Sequence, residues 1–266
     1  MYLQHFGLKY DPLGKTIRQT IEQPQYLLLE QKLNWLLQTK GIGLITGEAG
    51  TGKTTSVREW TKKLNPMTHK VIYQSDNHFR PFDIYCQLSE SLGLEKHHRY
   101  STLWRILKRE LLELYDNKQL TPIWILDEAH HLPANFLIQL PSFLNFSFDT
   151  RDIMIVLFVG LPPLDSMLKR SVYSPLNSRI LFHYSWQPLD DFSLFATFVV
   201  SAFKNAGKQE TIFSQSGLKL IHIASKGKLR ETHKIITQSL QLATERQLNH
   251  LPDEIIELSI NQLRSD

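Results

Sequence analysis

Residues 42–54 read IGLITGEAGTGKT, and this stretch decides the fold. The apolar run Ile42–Thr46 is typical of a short buried strand. Gly47–Thr54 then fills every position of the phosphate-binding pattern GxxxxGK(S/T). A helical pattern continues from Thr54 to Leu64. Strand, glycine-rich loop and helix in this order predict an α/β fold that binds the phosphates of a nucleotide.

The residue types of this loop suit phosphate binding. Its glycines let the backbone wrap closely round the phosphates and aim successive N–H groups inward, and the helix that follows adds its positive end. Lys53 is predicted to reach the β and γ phosphates, and the Thr54 hydroxyl to ligate Mg²⁺. ATP and Mg²⁺ are therefore the expected substrate and metal.

A second motif indicates hydrolysis rather than binding alone. The apolar run Pro122–Asp127 (PIWILD) ends in an acid and is followed by Glu128. Asp127 is predicted to hold Mg²⁺ through water, and Glu128 to polarise the attacking water, which favours an ATPase over a small-molecule kinase. The predicted nucleotide-binding residues are Gly47, Glu48, Ala49, Gly50, Thr51, Gly52, Lys53, Thr54, Thr55 and Asp127, with Thr54 and Asp127 as the Mg²⁺ ligands.

Residues 127–130 also spell the DEAH of certain helicases. Those helicases close ATP between two tandem α/β domains, whereas this chain offers one sheet followed by helices. His130 and His131 are therefore expected to be incidental surface residues near the site. Contact of His130 with the γ phosphate is the alternative.

The periodicity of the chain predicts three segments. Residues 1–40 form an N-terminal extension and a helix, residues 41–187 a parallel sheet flanked by helices, and residues 188–266 a small all-helical lid. The predicted strands beyond the first are Lys70–Gln74, Pro122–Asp127 and Asp152–Val159. The predicted helices beyond Thr54–Leu64 are Tyr26–Gln38, Pro81–Leu92, Ser101–Tyr115, Asp190–Asn205, Ser214–Ser225, Leu229–Gln247 and Pro252–Leu263.

Composition narrows the class of protein. The chain has 266 residues, 42% of them hydrophobic and 21% charged, which is ordinary for a globular protein. Its single cysteine, Cys86, cannot form an intramolecular disulfide and suggests no zinc site. The N-terminus lacks the order of a signal peptide, and the apolar runs are too short for a spanning helix, so a cytoplasmic protein without membrane contact is expected. The net charge of +4 mildly favours a polyanionic partner.

A single ATPase domain of this kind usually takes a cation from elsewhere to stabilise the transition state. The sequence offers candidates for this cation and for a second one in the lid. Arg179, just before the apolar stretch 181–184, is the first candidate for a finger that reaches a neighbouring subunit, and Lys169 and Arg170 are second. A surface arginine without a role remains an alternative. In the lid, Arg230 is the preferred second cation and Lys228 the next.

Together, the loop, the acid pair, Arg179 and the lid entry resemble those of the initiator-related AAA+ ATPases. The opening MYLQHFGLKYDPL, residues 1–13, resembles the ExeA-like family, and residues 155–170 are similar to a segment of the TnsC and TniB transposition regulators. This resemblance implies an ATP-dependent homo-oligomer, a ring or filament, that coats double-stranded target DNA and hands it to a transposase, with a target-selection protein as a further partner. Gly160 and Leu161 offer no polar side chain where many AAA+ proteins place a first sensor.

Several residues, most of them basic, in the connection between the predicted strands Lys70–Gln74 and Pro122–Asp127 are candidates for DNA contact. Most of them belong to the densest basic segment of the chain, at a predicted helix start, where cations can track phosphates without reading bases. Arg80 is included because its position resembles a loop that contacts DNA in the transposition ATPases. A solvated basic face explains any single one of them equally well. The candidates are Arg80, Lys96, Arg99, Tyr100 and Arg105.

Two other functions stay open. The ExeA branch includes secretion ATPases that carry a membrane segment and a cell-wall-binding domain, and the lack of both in this sequence favours the transposition branch. A secretion-accessory ATPase is the first alternative. An ATP-driven protein-remodelling switch that never touches DNA is the second.

Overall fold

The computed structural model describes residues 2–14, 24–76 and 79–265, and the chain forms two compact units. We call the first the sheet unit, made of Gln25–Gly47 and Lys53–Trp186. The second, the helical unit, consists of Met1–Pro24, Glu48–Gly52 and Gln187–Asp266. The tip of the glycine-rich loop thus belongs to one unit and its two ends to the other.

A five-stranded parallel sheet is the centre of the sheet unit and confirms the predicted fold class. The strands run in the spatial order β2-β3-β4-β1-β5, and every neighbouring pair is parallel. Their bounds are β1 Gly41–Gly47, β2 His69–Gln74, β3 Thr121–Leu126, β4 Ile155–Gly160 and β5 Ile180–Trp186. The glycine-rich loop follows β1, and the acid pair follows β3, with only β4 between these two strands.

Helices cover both faces of this sheet. Alternation along β3 shows why. Ile123 and Ile125 belong to a core shared with the helices at residues 24–39 and 53–62, whereas Trp124 and Leu126 belong to a core shared with the helices at residues 81–91, 100–116 and 134–144. Strands buried on both faces are expected to be apolar throughout. The helices are α2 Pro24–Thr39, α3 Lys53–Lys62, α4 Pro81–Ser91, α5 Tyr100–Asp116, α6 Ala134–Leu144, α7 Pro163–Leu168 and α8 Ser174–Asn177.

The sheet unit differs from the prediction in several elements. Strand β5 was not predicted, because this edge strand is partly exposed and not apolar throughout, and the short helices α7 and α8 were not predicted either. Strand β4 begins at Ile155 rather than at Asp152, because its pairing with β1 begins where Gly41 meets Ile155, and Lys40 before it leaves the strand conformation with a φ of 57°. Helix α6 was not predicted, since the internal Pro141 weakens the helical signal of an otherwise apolar segment.

The helical unit has its own core. Its helices are α1 Tyr2–His5, α9 Phe192–Asn205, α10 Gln215–Ser225, α11 Leu229–Glu245 and α12 Asp253–Ser265. Among the described residues 2–14, 24–76 and 79–265, none of the helices combines the length and apolar character needed to cross a membrane.

The N-terminal motif is part of that core. Phe6 is only 2% exposed and packs with residues of α9, α10 and α11. The Lys9 N–H donates to the Ala206 carbonyl at 2.8 Å, and the Asp11 carboxylate lies 2.7 Å from His233 Nε2. The predicted segment 1–40 is therefore divided, since residues 2–14 belong to the helical unit and α2 packs in the sheet unit.

Candidate active site

The two ends of the glycine-rich loop are fixed by contacts within the sheet unit. Gly47 pairs with Trp186 of β5, and a Cβ at Gly47 would lie 2.4 Å from the Trp186 carbonyl oxygen, so that only glycine fits there. At the other end, Lys53 begins α3 and is buried. Its Nζ donates to the Gly47 carbonyl at 2.7 Å. The lysine ammonium is therefore held at the loop, where the sequence predicts the phosphates.

The tip of the loop makes its contacts within the helical unit. Gly50 has a φ of +75°, and a Cβ there would lie 2.6 Å from Arg230 Cβ. The Arg230 N–H donates to the Gly50 carbonyl at 3.0 Å. Lys228 forms an ion pair with Glu48. The start of α11 thus engages the loop through a backbone N–H and through Lys228, and a role for the Arg230 side chain in catalysis stays a prediction.

Asp127 gathers the polar groups at the carboxyl end of β3. Its buried carboxylate accepts from Thr54 Oγ1 at 2.8 Å and from the Tyr73 hydroxyl at 2.8 Å, both at Oδ2. Burial and the hydrogen bond to Asp127 raise the pKa of Tyr73 above its ordinary value, so the phenol stays a donor. A hydroxyl and a carboxylate in contact are hard oxygen ligands that fit Mg²⁺, which usually takes one or two protein ligands besides phosphate.

Tyr73 is a functional-site residue that the sequence reasoning missed. It lies one residue before the end of β2, which pairs with β3 in parallel register. Residues at the carboxyl ends of adjacent parallel strands meet at the same edge of a sheet. That rule would have drawn attention to the end of β2 once the acid after β3 was known.

Glu128 and His130 lie side by side. Glu128 takes a left-handed backbone conformation with a φ of 50°, and its Oε2 lies 3.6 Å from His130 Nδ1. That nitrogen accepts from the Leu161 N–H at 3.4 Å. Burial, followed by the nearby His131 and Lys53, lowers the pKa of His130, which favours a neutral ring.

His130 is less exposed than the expected surface position, while its role stays a prediction. Its side chain is 16% exposed, and Nδ1 accepts from the Leu161 N–H, just after β4. A Cβ added at Gly160 would lie 2.9 Å from Leu164 Cδ2, 3.3 Å from the His130 backbone nitrogen and 3.5 Å from His130 Nδ1. Residue 160 therefore has no room for a polar side chain. His131 is exposed, as expected.

Arg179 lies at the end of the sheet where the parallel strands begin, and Asp127 lies at the opposite end, where they finish. Arg179 directly precedes β5, whose seven residues span about 23 Å in a parallel sheet. Its guanidinium donates to both carboxylate oxygens of Asp149, at 2.8 and 2.7 Å. Of the second-choice cations, Lys169 pairs with Asp165 at 2.6 Å, and Arg170 precedes a short 3₁₀ turn. Arg179 is thus too far from its own acid pair to serve it.

The candidate DNA contacts lie at two helix starts. Arg80 and Arg99 are the residues before α4 and α5, and the rings of Phe82 and Tyr100 stand 6.2 Å apart, so the two starts are neighbours. The Arg80 side chain is 82% exposed, and that of Lys96 is 80% exposed. Arg105 is also exposed, one and a half turns into α5.

Tyr100 is engaged elsewhere. Its hydroxyl donates to Gln139 at 2.6 Å, and its ring packs against Tyr85 and Trp104. The ring is thus part of an aromatic cluster beneath the helix starts. Tyr100 has a packing role, and its contact with DNA stays a prediction.

A bacterial secretion protein is similar in sequence to nearly the whole chain. Over 257 residues, 92% of its length, the chain is 29% identical to General secretion pathway protein A of Aeromonas hydrophila. The chain spans only 45% of that relative. This similarity agrees with the ExeA-like side of the predicted resemblance, while the transposition side remains a prediction.

Solved structures share the fold at low sequence identity. Cdc6p from Pyrobaculum aerophilum matches with a TM-score of 0.74 and 17% identity, over 93% of this chain and 69% of that one. A chain of Drosophila ORC bound to DNA matches with a TM-score of 0.75 and 14% identity, over 96% and 65%. The ORC1 protein of Aeropyrum pernix in complex with DNA matches at 0.71 and 15%, over 96% and 69%.

Residues 36–168 match the family described as the AAA domain, and this range runs from the end of α2 through β1, the glycine-rich loop and the acid pair to α7. It includes Lys53, Thr54, Asp127 and Glu128. With half of its length matched and a five-stranded parallel sheet that presents these residues, the chain belongs to the AAA domain family.

Proposed function

We propose that this protein hydrolyses ATP at the glycine-rich loop, and the observation that carries this proposal is the contact of Thr54 with Asp127 beside Glu128. Thr54 and Asp127 would hold Mg²⁺, which supplies neutralisation of phosphate charge when it is bound. Lys53 would hold the β and γ phosphates. Thr55 and the loop residues 47–52 would line the phosphates with backbone N–H groups.

Glu128 is the proposed general base. Its carboxylate would accept a proton as water attacks the γ phosphate, a role that needs an ionised side chain next to the phosphate site. The neighbouring His130 offers Nδ1 to the Leu161 N–H, which leaves Nε2 as the protonated nitrogen of the neutral ring. With Nδ1 unprotonated, His130 has no proton there to donate to Glu128 Oε2, 3.6 Å away, and it takes no part in the proposed proton transfer.

The active form is proposed to be a homo-oligomer, a ring or filament. Arg179 lies at the amino edge of the sheet, about 23 Å from the carboxyl edge, where the acid pair of the same chain lies. A cation in that place can stabilise the transition state only in a neighbouring copy, as arginine fingers supplied in trans do. The Arg230 side chain would add a second cation from the lid.

DNA is the proposed partner of this assembly. Arg80 and Arg99 stand at two neighbouring helix starts. A phosphate there would draw the Arg80 guanidinium from its exposed pair with Asp83, and the helix dipoles would add to the attraction. Lys96 and Arg105 would extend the surface along the backbone. The relatives solved with DNA are similar in fold, and the net charge of +4 favours a polyanion.

Sequence similarity supports two candidates for the biological role. The similarity of residues 155–170 to transposition regulators supports an ATP-dependent assembly that recruits or activates a transposase. A secretion-accessory role is the second candidate, because the 29% identity to General secretion pathway protein A extends over 92% of the chain. Filter binding of duplex DNA with ATP, with a non-hydrolysable analogue and without nucleotide separates them. No binding in any of the three would favour the second candidate.

Removal of the two arginines at the helix starts should weaken DNA binding. We expect Arg80→Ala/Arg99→Ala to lower affinity at least about tenfold and to reduce the slope of log K against log salt by about 2, since each lost phosphate contact removes about one released ion. The control is Arg109→Ala/Arg246→Ala, which removes the same charge from exposed positions. Equal losses in both double variants would mean that general charge, not these helix starts, binds DNA.

A further inference from the structure

The loop between α6 and β4, which we call the finger loop (residues 146–151), has an unusual backbone. Ser147, Phe148 and Asp149 have φ values of 51°, 58° and 63°. Three consecutive left-handed residues without a glycine are uncommon, and such conformations persist only where the surroundings impose them. Here the imposing contacts are the bridge between Phe146 and Arg151 and the Thr150 N–H, which donates to the Ser147 carbonyl at 3.3 Å.

This backbone holds an aromatic side chain in solvent. Phe146 is buried in the core, whereas Phe148, two residues later, is 100% exposed. An exposed phenylalanine gains nothing from folding of the single chain, because its apolar surface stays in water. Burial of this ring in a contact with another molecule would recover that free energy.

The finger loop also holds Arg179. Asp149 binds the guanidinium through both carboxylate oxygens, at 2.7 and 2.8 Å. Arg179 also lines a cavity of about 240 Å³, whose other lining residues are both polar, such as Asp152, and apolar, such as Leu181. The exposed ring, the cation and this cavity thus lie together where the strands of the sheet begin.

We propose that the finger loop contacts a second copy of this chain, with Phe148 buried against the neighbour and Arg179 transferred from Asp149 to the neighbour's nucleotide. The partner is a second copy because Arg179 lies a full strand length from its own acid pair. While Asp149 is bound, the guanidinium is neutralised and a carboxylate stands where a phosphate would bind. The pair is partly exposed, with Arg179 25% and Asp149 48% accessible, and such a pair is weak enough to be exchanged for a charge-assisted bond to phosphate.

This inference rests on the proposed ATPase function and adds two residues to it. Phe148 contributes to the affinity between copies. Asp149 is a positioning residue that keeps Arg179 in a resting position until a neighbour arrives. The nearby pair of Arg151 with Asp116 offers a matched control, since it joins the same loop to α5 without involving Arg179.

Assembly of the full chain tests the role of Phe148. Sedimentation velocity with a non-hydrolysable ATP analogue should show that Phe148→Ala raises the protein concentration at half assembly about tenfold, as the loss of an aromatic interface residue does. Met67→Ala, which removes another exposed side chain, should assemble like wild type. Wild-type assembly of Phe148→Ala would overturn the proposal. Circular dichroism should be the same for all three proteins.

ATP turnover tests the role of Asp149. At protein concentrations below half assembly, Asp149→Asn should turn over ATP roughly two- to fivefold faster than wild type, since the competing carboxylate is gone. Asp116→Asn should equal wild type, and Asp149→Asn should have no effect in an Arg179→Ala background. Turnover by Asp149→Asn that is equal to or below wild type would overturn the proposal. A wild-type chain that neither assembles nor hydrolyses ATP would overturn the proposed function itself.

Discussion

Replacing Glu128 by glutamine should lower ATP turnover by at least about 100-fold, the usual effect of losing a positioned general base. The amide keeps the size of the side chain and leaves the Thr54 contact with Asp127 in place, so ATP and Mg²⁺ should still bind. Assemblies of this variant should therefore persist with ATP as they do in wild type with a non-hydrolysable analogue. Phosphate release and light scattering measure the two effects.

Glu257→Gln is the matched control for this prediction, since it makes the same change at an exposed position of α12. It should keep wild-type turnover. If Glu128→Gln also hydrolyses ATP normally, then Glu128 is not the base, and the role must pass to another group near the γ phosphate.

Replacing Lys53 by alanine should weaken ATP binding by about 100-fold, which corresponds to about 3 kcal/mol for a buried charge-assisted hydrogen bond. Lys53 is buried, and its ammonium lies 2.7 Å from the Gly47 carbonyl, which fixes it at the phosphate-binding loop. Titration with a fluorescent ATP analogue measures the change. Turnover should fall with binding.

Lys62→Ala controls for the loss of a lysine from the same helix. Lys62 lies in the last turn of α3, where it is exposed and pairs with Glu59. This variant should bind ATP like wild type. Equal affinities of Lys53→Ala and wild type would contradict nucleotide binding at this loop.

Local patterns predicted the centre of the fold well. The strand before the glycine-rich loop and the helix after it begin within one residue of the observed β1 and α3. An apolar run that ends at a glycine-rich loop is readily identified as a central strand, because both faces of a central parallel strand are covered and therefore apolar. For the same reason the run 122–127 was identified as a strand, and its final acid, Asp127, lies next to the first turn of α3.

These local patterns could not predict long-range packing. Nothing in the spacing of residues 1–13 indicates that Phe6 enters the core of helices found 190 residues later, or that Asp11 meets His233. The close approach of Gly160 to the His130 backbone, which leaves no room for a side chain at residue 160, appears only when β4 lies beside β3. The pairing of Arg179 with Asp149 likewise depends on a loop whose backbone no propensity predicts.

Mixing two inactive variants tests most directly whether each ATP site is completed by Arg179 of the next copy. Arg179→Ala and Glu128→Gln should each retain less than about 1% of wild-type turnover. An equimolar mixture should recover about a quarter of wild-type turnover, because one adjacent pair in four joins an intact Glu128 to an intact Arg179 across a head-to-tail interface. A mixture no more active than the mean of the two variants would contradict a site shared between copies.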